Sequence, residues 1–322
     1  MTIRKLLGAF AFLAAMVPLA AGAQASFPDK PIKFVVPVPA GGVTDLVARV
    51  LAAGLTTRLG QPVIVENRAG ASGIPAAEYV AHAKPDGYTL FVGTIGTLSV
   101  NQAIFRNLPY DVDRDFTPVS LVAAAPTILV VNPALPVHSV QELIAYGKAH
   151  PGKLNYASFG NGTSSHLAGE LFKSLAGVDA VHVPYKGNAP AMTDLLGGRV
   201  DMLFDNIITS LPFIKDHRLR ALAVTAPSRS NLVPDVPTMA EAGLPGQEIS
   251  GWLGIVAPAG TPPDIVEMLS KAMATELHLP EVQKKIVGTE TVGSTPEQFG
   301  AFLRLERSKW NKLVKEAGIH AE

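Results

Sequence analysis

The chain has 322 residues, 48% of them hydrophobic and 17% charged, and its 27 basic side chains balance 27 acidic ones. That length suits about two domains, the charge is too sparse for a disordered tail, and zero net charge argues against nucleic acid as a partner. With no cysteine, disulfides, thiolate metal sites, a cysteine nucleophile and a lipid-modified N-terminal cysteine are all excluded.

Residues 1–25 read as an export signal: Arg4 and Lys5, an uncharged apolar run over 6–17, Pro18, then small residues around Gln24. The run is too short to span a bilayer comfortably. Cleavage is expected after Ala25. It removes two basic residues and no acid, leaving 25 basic against 27 acidic and a net charge of −2. A free protein of a bacterial periplasm is the simplest expectation.

The rest alternates short apolar runs with amphipathic stretches. Strands are expected at 32–36, 62–65 and 88–92, with helices at 44–59 and 74–83 and a Lys84-Pro85-Asp86-Gly87 turn. A β run over 127–131 is followed by a helix that Ser139 caps, reaching about residue 150. Next come a strand at 154–156, a helix at 163–176, a strand at 180–183, a helix at 189–196, and strands at 201–204 and 219–225. A strand at 252–256 precedes two or three helices, the longest at 262–277 and 296–317, both opened by proline. Such alternation implies βαβ units, so the expected fold class is α/β with two lobes, each a mostly parallel sheet flanked by helices. The crossings are expected near 121–131 and 250–257. The first lobe would hold 26–125 plus 251–322, and the second 126–250. Phe34, Phe91 and Phe204 are expected in the core, and Trp252 is expected to pack at a crossing.

Catalytic motifs are missing. There is no G-x-S-x-G, no phosphate loop, no G-x-G-x-x-G and no H-E-x-x-H, and the eight histidines show no metal-ligand spacing. Ser164-Ser165-His166 does not read as a nucleophile–base pair, because adjacent residues at a helix start face different ways. No cofactor or metal is expected.

Glycine and small hydroxyl residues instead gather at strand ends. After the first strand comes Pro37-Val38-Pro39-Ala40-Gly41-Gly42-Val43-Thr44-Asp45. It reads either as an anion cradle made of backbone N–H groups at a helix start, or as an ordinary turn capped by Thr44 or Asp45. Ser158-Phe159-Gly160-Asn161-Gly162-Thr163-Ser164-Ser165-His166 is its counterpart in the second half. Ligands of open α/β sheets sit outside the carboxyl ends of strands, where both loops lie. Thr94 and Thr97 end the third strand and can line the same mouth. Tyr185 offers an aromatic wall, and Lys186 either pairs with a ligand carboxylate or stays solvated. Asp205 either orients a loop or meets a cationic ligand group.

The motif order resembles one family. It runs through Phe27-Pro28-Asp29-Lys30-Pro31-Ile32, the Pro39 to Asp45 loop, Val65-Glu66-Asn67-Arg68-Ala69-Gly70-Ala71-Ser72-Gly73 and Lys84-Pro85-Asp86-Gly87-Tyr88. It continues through Tyr156 to Ala168, Val183-Pro184-Tyr185-Lys186-Gly187, Gly197-Gly198-Arg199-Val200-Asp201, Pro234-Asp235-Val236-Pro237-Thr238 and Ala257-Pro258-Ala259-Gly260-Thr261-Pro262. In this order the motifs resemble the Bug-type solute-binding proteins, receptors of tripartite tricarboxylate transporters. The resemblance implies a two-lobed periplasmic-binding-protein fold of type II-like form, hinged by crossing strands, that closes over a small organic carboxylate. It implies membrane permease subunits as partners, with a sensor kinase as the other partner it allows, and a monomer. The resemblance carries ligand contact onto Ala40, Gly41, Gly42 and Thr44 and onto Ser158, Gly160, Asn161, Gly162, Thr163 and Ser164; the strand-end reading adds Pro39, Thr94, Thr97, Tyr185, Lys186 and Asp205 as expected contacts, with Asp45 as a cap or loop-orienting residue. Val38 stands where many relatives carry an aromatic residue. Two rivals stay open: an exported enzyme using Asp45, Asp205 and His166 on a small acid, and a receptor that presents its ligand to a membrane sensor.

Overall fold

A computed structural model describes residues 27–317, so the expected export signal and its cleavage point lie outside the described residues. The first half opens with β1 (Ile32–Val36), α1 (Val43–Leu59), β2 (Val63–Asn67), a 3-10 turn at Ala71–Gly73, α2 (Ile74–Ala81) and β3 (Thr89–Thr94). β1 lies between β2 and β3, parallel to both. Its apolar run is almost wholly buried, as expected of a strand covered on both faces. A π-helical turn at Gly96–Val100, α3 (Asn101–Ile104) and α4 (Val112–Asp115) lead into β4, a 16-residue strand from Phe116 to Val131.

The second half repeats the plan with α5 (Val140–Ala149), β5 (Leu154–Ser158), α6 (Ser164–Ala176), β6 (Ala180–Pro184), α7 (Asn188–Leu196), β7 (Met202–Asn206), α8 (Ile207–Lys215) and β8 (Arg220–Val224). β5 is the middle strand here, parallel to β6 and β7. The chain returns through β9 (Ser250–Pro258) to α9 (Pro263–Leu277), α10 (Pro280–Gln283), β10 (Glu290–Thr291) and α11 (Pro296–Ala317).

The sheet order is β2-β1-β3-β9-β4-β7-β5-β6, with β8 and β10 also on β4. β4 changes partner along its length. From Phe116 to Pro126 it runs antiparallel to β9; from Thr127 to Val131 it runs antiparallel to β7, with β8 also pairing on it from Ile128. Two parallel triplets therefore flank an antiparallel centre made by two crossing strands. The crossing expected at 121–131 is longer than that, because Pro118 and Pro126 are carried inside β4, which shifts register beside Pro118 and again at Leu121/Ala123. α8 was not expected; it holds Pro212 within it. Phe34, Phe91 and Phe204 are fully buried, and Trp252 is buried against Phe299 and Phe302 of α11.

Candidate functional site

The loop from β1 to α1 leaves the carboxyl end of the middle strand of its triplet. Pro39, Ala40 and Gly41 are exposed, and Gly42 and Thr44 are partly so. Gly41 has φ +93, a region that L side chains avoid. Gly42 precedes α1 without a side-chain cap bond, so neither Thr44 nor Asp45 caps the helix. The amides of the first turn have no intrahelical partner. Asp45 instead faces backward and is 3% exposed. It accepts the Gly41 N–H at 3.0 Å, Arg49 Nε at 2.9 Å and Asn67 Nδ2 at 2.9 Å. Asn67 Nδ2 also donates to the Val38 carbonyl at 3.0 Å, so both ends of the loop are tied to one polar cluster. Burial pushes the Asp45 carboxyl up, but the bonds from Arg49, Gly41 and Asn67 outweigh it and hold the group below the usual carboxylate range.

The loop from β5 to α6 is the counterpart, again from the middle strand of a parallel triplet. Gly160 and Gly162 sit at φ +125 and +75. Most of its amides are engaged within the loop. Phe159 N–H donates to Ser165 Oγ (2.9 Å), Gly160 N–H to Ser158 Oγ (3.2 Å), Gly162 N–H to His166 Nδ1 (3.1 Å) and Thr163 N–H to the Gly160 carbonyl (3.3 Å). Thr163 Oγ1 also donates to that carbonyl at 2.7 Å. α6 starts after Thr163 without a side-chain cap bond. The donors this loop presents are thus the first-turn amides of α6, rather than those of Gly160 and Gly162. The exposed Asn161 stands at the loop tip, and Ser164 at the helix start is partly exposed.

The carboxyl ends of the two triplets meet. Ser72, after β2, donates Oγ to the Asn161 carbonyl at 3.2 Å. A methyl built on Gly96, after β3, would lie 2.8 Å from the Gly162 carbonyl, and one built on Gly162 would lie 3.2 Å from Asn101 Oδ1 and from Ile104 Cδ1. Asn101 Oδ1 is buried without a hydrogen-bond partner, while its amide donates to the Ser72 carbonyl and to Tyr110 Oη. Ala71 and Ser72 both have positive φ, at 42° and 54°. β1 lies between β2 and β3, so its loop leaves the sheet between the two segments that touch residues 160–162.

The other expected contacts are placed as follows. Thr94 and Thr97 bond mainly to each other, the Thr94 N–H reaching Thr97 Oγ1 at 2.9 Å. Lys186 is exposed. Burial, helped by the bond that Tyr185 Oη donates to Asp194 at 2.8 Å, pushes the phenol up to about 12. Ser158 and Asp205 are 0% exposed, and protein neighbours engage the side-chain oxygens of both. Ser158 Oγ lies 2.6 Å from His182 Nε2. Asp205 accepts from Asn188, Thr209 and Ser210 at 2.5, 2.7 and 2.5 Å, so it fixes the starts of α7 and α8. Burial pushes its carboxyl up to about 6 against these bonds. Ser72, Asn101 and His182 were not singled out in sequence. Only Ser72, inside Gly70-Ala71-Ser72-Gly73, left a signal there. Among the described residues no group of histidine, aspartate and glutamate side chains is arranged to hold a metal ion, and no helix is long and apolar enough to cross a membrane.

The chemistry on offer is anion binding by backbone dipoles at two helix starts. A family model described as the tripartite tricarboxylate transporter family receptor matches residues 47–319. The chain is 39% identical to the protein BugT of Bordetella pertussis over 322 residues, covering 99% of both. A structure from R. palustris solved with adipate is 40% identical, with a TM-score of 0.86 over 91% of this chain and 99% of that one. MatC from Rhodopseudomonas palustris, with bound malate, is 38% identical, with a TM-score of 0.83 over 89% of this chain and all of that one.

Proposed function

This chain belongs to the tripartite tricarboxylate transporter receptor family, and from that membership we propose that it captures a small di- or tricarboxylate and hands it to the membrane subunits of a permease. The observation that carries the reading is the pair of glycine-turned strand-to-helix loops at the carboxyl ends of β1 and β5, whose neighbours meet at Ser72 and Asn161. The family is one of solute-binding receptors, not of catalysts. The enzyme alternative also lacks free groups: His166 Nδ1 accepts a backbone N–H, and Asp45 and Asp205 are occupied by their neighbours.

In this reading Pro39 to Gly42 and Thr44 form one wall, and Asn161 with the start of α6 forms the other. Thr94, Tyr185 and Lys186 stand at the mouth, and the buried Thr97 holds Thr94 there. The lobes are 26–125 with 251–322, and 126–250; the change of partner on β4 between Pro126 and Thr127 supports that division. Binding through amides and helix ends needs no basic patch, which suits a chain near neutrality. The mature protein begins after Ala25 and acts as a periplasmic monomer. The adipate- and malate-bound relatives define the first acids to try. Isothermal titration of the purified mature protein with a panel of C4 to C6 di- and tricarboxylates should give saturable 1:1 binding. No heat from any acid, together with no thermal shift, refutes the reading.

A further inference from the structure

Behind the second loop lies a column of three rings that anion binding by backbone dipoles does not use. His166 on α6 stacks on His182 of β6 with centroids 4.2 Å apart and planes 19° apart. The Tyr156 ring of β5 stacks on His182 at 4.8 Å and 20°. Each histidine grips a separate point of the loop. His166 Nδ1 accepts the Gly162 N–H, and His182 Nε2 holds Ser158 Oγ, which in turn accepts the Gly160 N–H. The column is closed at its far end by Tyr156 Oη donating to Glu170, which also pairs with Lys173.

We propose that His166 and His182 act as a stacked neutral pair of positioning residues, fixing the peptide groups of Gly160 and Gly162 so that the amides opening α6 face the ligand carboxylate. The geometry sets one tautomer. A donor arrives at His166 Nδ1, so that nitrogen is bare and the ring proton sits on Nε2. A second proton on His166 would set N–H against N–H and release Gly162. The surroundings keep the pair neutral. Burial lowers His166, with Glu170 opposing and Lys173 assisting. Burial, His166 and Lys173 together take His182 down to about 3. Gly169 allows this stack to form, because a methyl there would lie 2.2 Å from the Tyr156 ring. The two grips differ in reach. His166 lies four residues from Gly162 on the same turn, whereas His182 is brought to Ser158 only by the parallel pairing of β5 with β6.

The inference rests on the proposed binding reading, and its test separates the two. Wild type, His166→Leu and His166→Asn are compared by titration with malate and adipate, by Gly162 amide exchange, and by nitrogen NMR of 15N-histidine-labelled wild-type protein. Asparagine can offer its carbonyl oxygen where Nδ1 lies; leucine cannot. Loss of one bond that orders a binding loop should weaken affinity roughly 10- to 100-fold in His166→Leu. Gly162 should exchange faster in that variant, and His166→Asn should recover most of both effects. Equal affinity and equal Gly162 exchange in His166→Leu overturn the inference. A wild-type spectrum with His166 protonated at Nδ1 overturns it even where the leucine variant does not fold. Wild type that binds neither acid counts against the binding reading, and Gly162 exchange then decides the inference alone.

Discussion

Asp45 offers the sharpest test of how the first loop is held. In Asp45→Asn the side chain keeps its shape but exchanges one acceptor for a donor. If the new amide faces Gly41 N–H and Arg49 Nε, donors oppose donors; if it flips, it opposes Asn67 Nδ2. At least one donor is therefore left facing another donor in either orientation. Hydrogen bonds to a charged acceptor contribute about 1.5–3 kcal/mol each, and stranding a buried group costs a similar amount. Arg49 is half exposed and can turn to water, so its share is discounted. The expected loss is about 3 kcal/mol at pH 7, or roughly 6–12 °C in Tm. The wild-type carboxyl is held below its unfolded value of about 3.9. Its contribution is therefore full above that value and fades as pH falls through the folded pKa, so the gap between wild type and Asp45→Asn should persist from pH 7 to about pH 4 and narrow below it. Thermal unfolding across that pH series reads the effect, and ligand titration reads the loop. A variant with wild-type Tm and wild-type affinity at pH 7 refutes the argument.

Three further outcomes follow from the packing. Gly162→Ala should weaken ligand binding at least about 10-fold by pushing the second loop off Asn101 and Ile104, on top of about 1–2 kcal/mol of backbone strain; Gly60→Ala, at φ +68 with open space around it, should show the strain without the binding loss. Because the Asp205 pKa is raised in the fold to about 6, wild-type stability should fall relative to Asp205→Asn by roughly 3 kcal/mol as pH rises from below about 4 to above 6, measured by urea unfolding at each pH; a difference that does not vary with pH would count against the burial argument. Both tryptophans donate to the same Glu306 oxygen, at 2.8 and 3.0 Å. Glu306→Ala should shift their emission and cost about 2 kcal/mol or more in thermal unfolding; an unchanged emission spectrum would refute that assignment.

The strands of the two parallel triplets were legible because each is a compact apolar run bounded by turn residues, as at Ile32–Val36 and Leu154–Ser158. The continuity of β4 was not, because Pro118 and Pro126 read as breaks, and only tertiary pairing on β9 carries the chain through them. α8 was hidden by the β-branched run at its start and by Pro212, features that locally argue against a helix. The loops at Gly41 and Gly160 were visible as composition, but the division of labour within them was not. Ser158 and Asp205 look like ligand contacts in sequence, yet their partners come from β6, α7 and α8. The approach of Ser72 and Asn101 to the 161–162 segment depends on how the two halves meet, which no local pattern records.

The place of β9 between β3 and β4 has a consequence for how the protein is made. β3 carries Phe91 and Val92, both almost fully buried in the finished fold, and the partner that covers its free edge is encoded only after the whole second half. During synthesis, that edge has no partner strand, the state in which strands most readily pair with the wrong neighbour. The β3 edge is thus among the last parts of the sheet to be sealed, waiting on residues 250–258 rather than on anything in its own half.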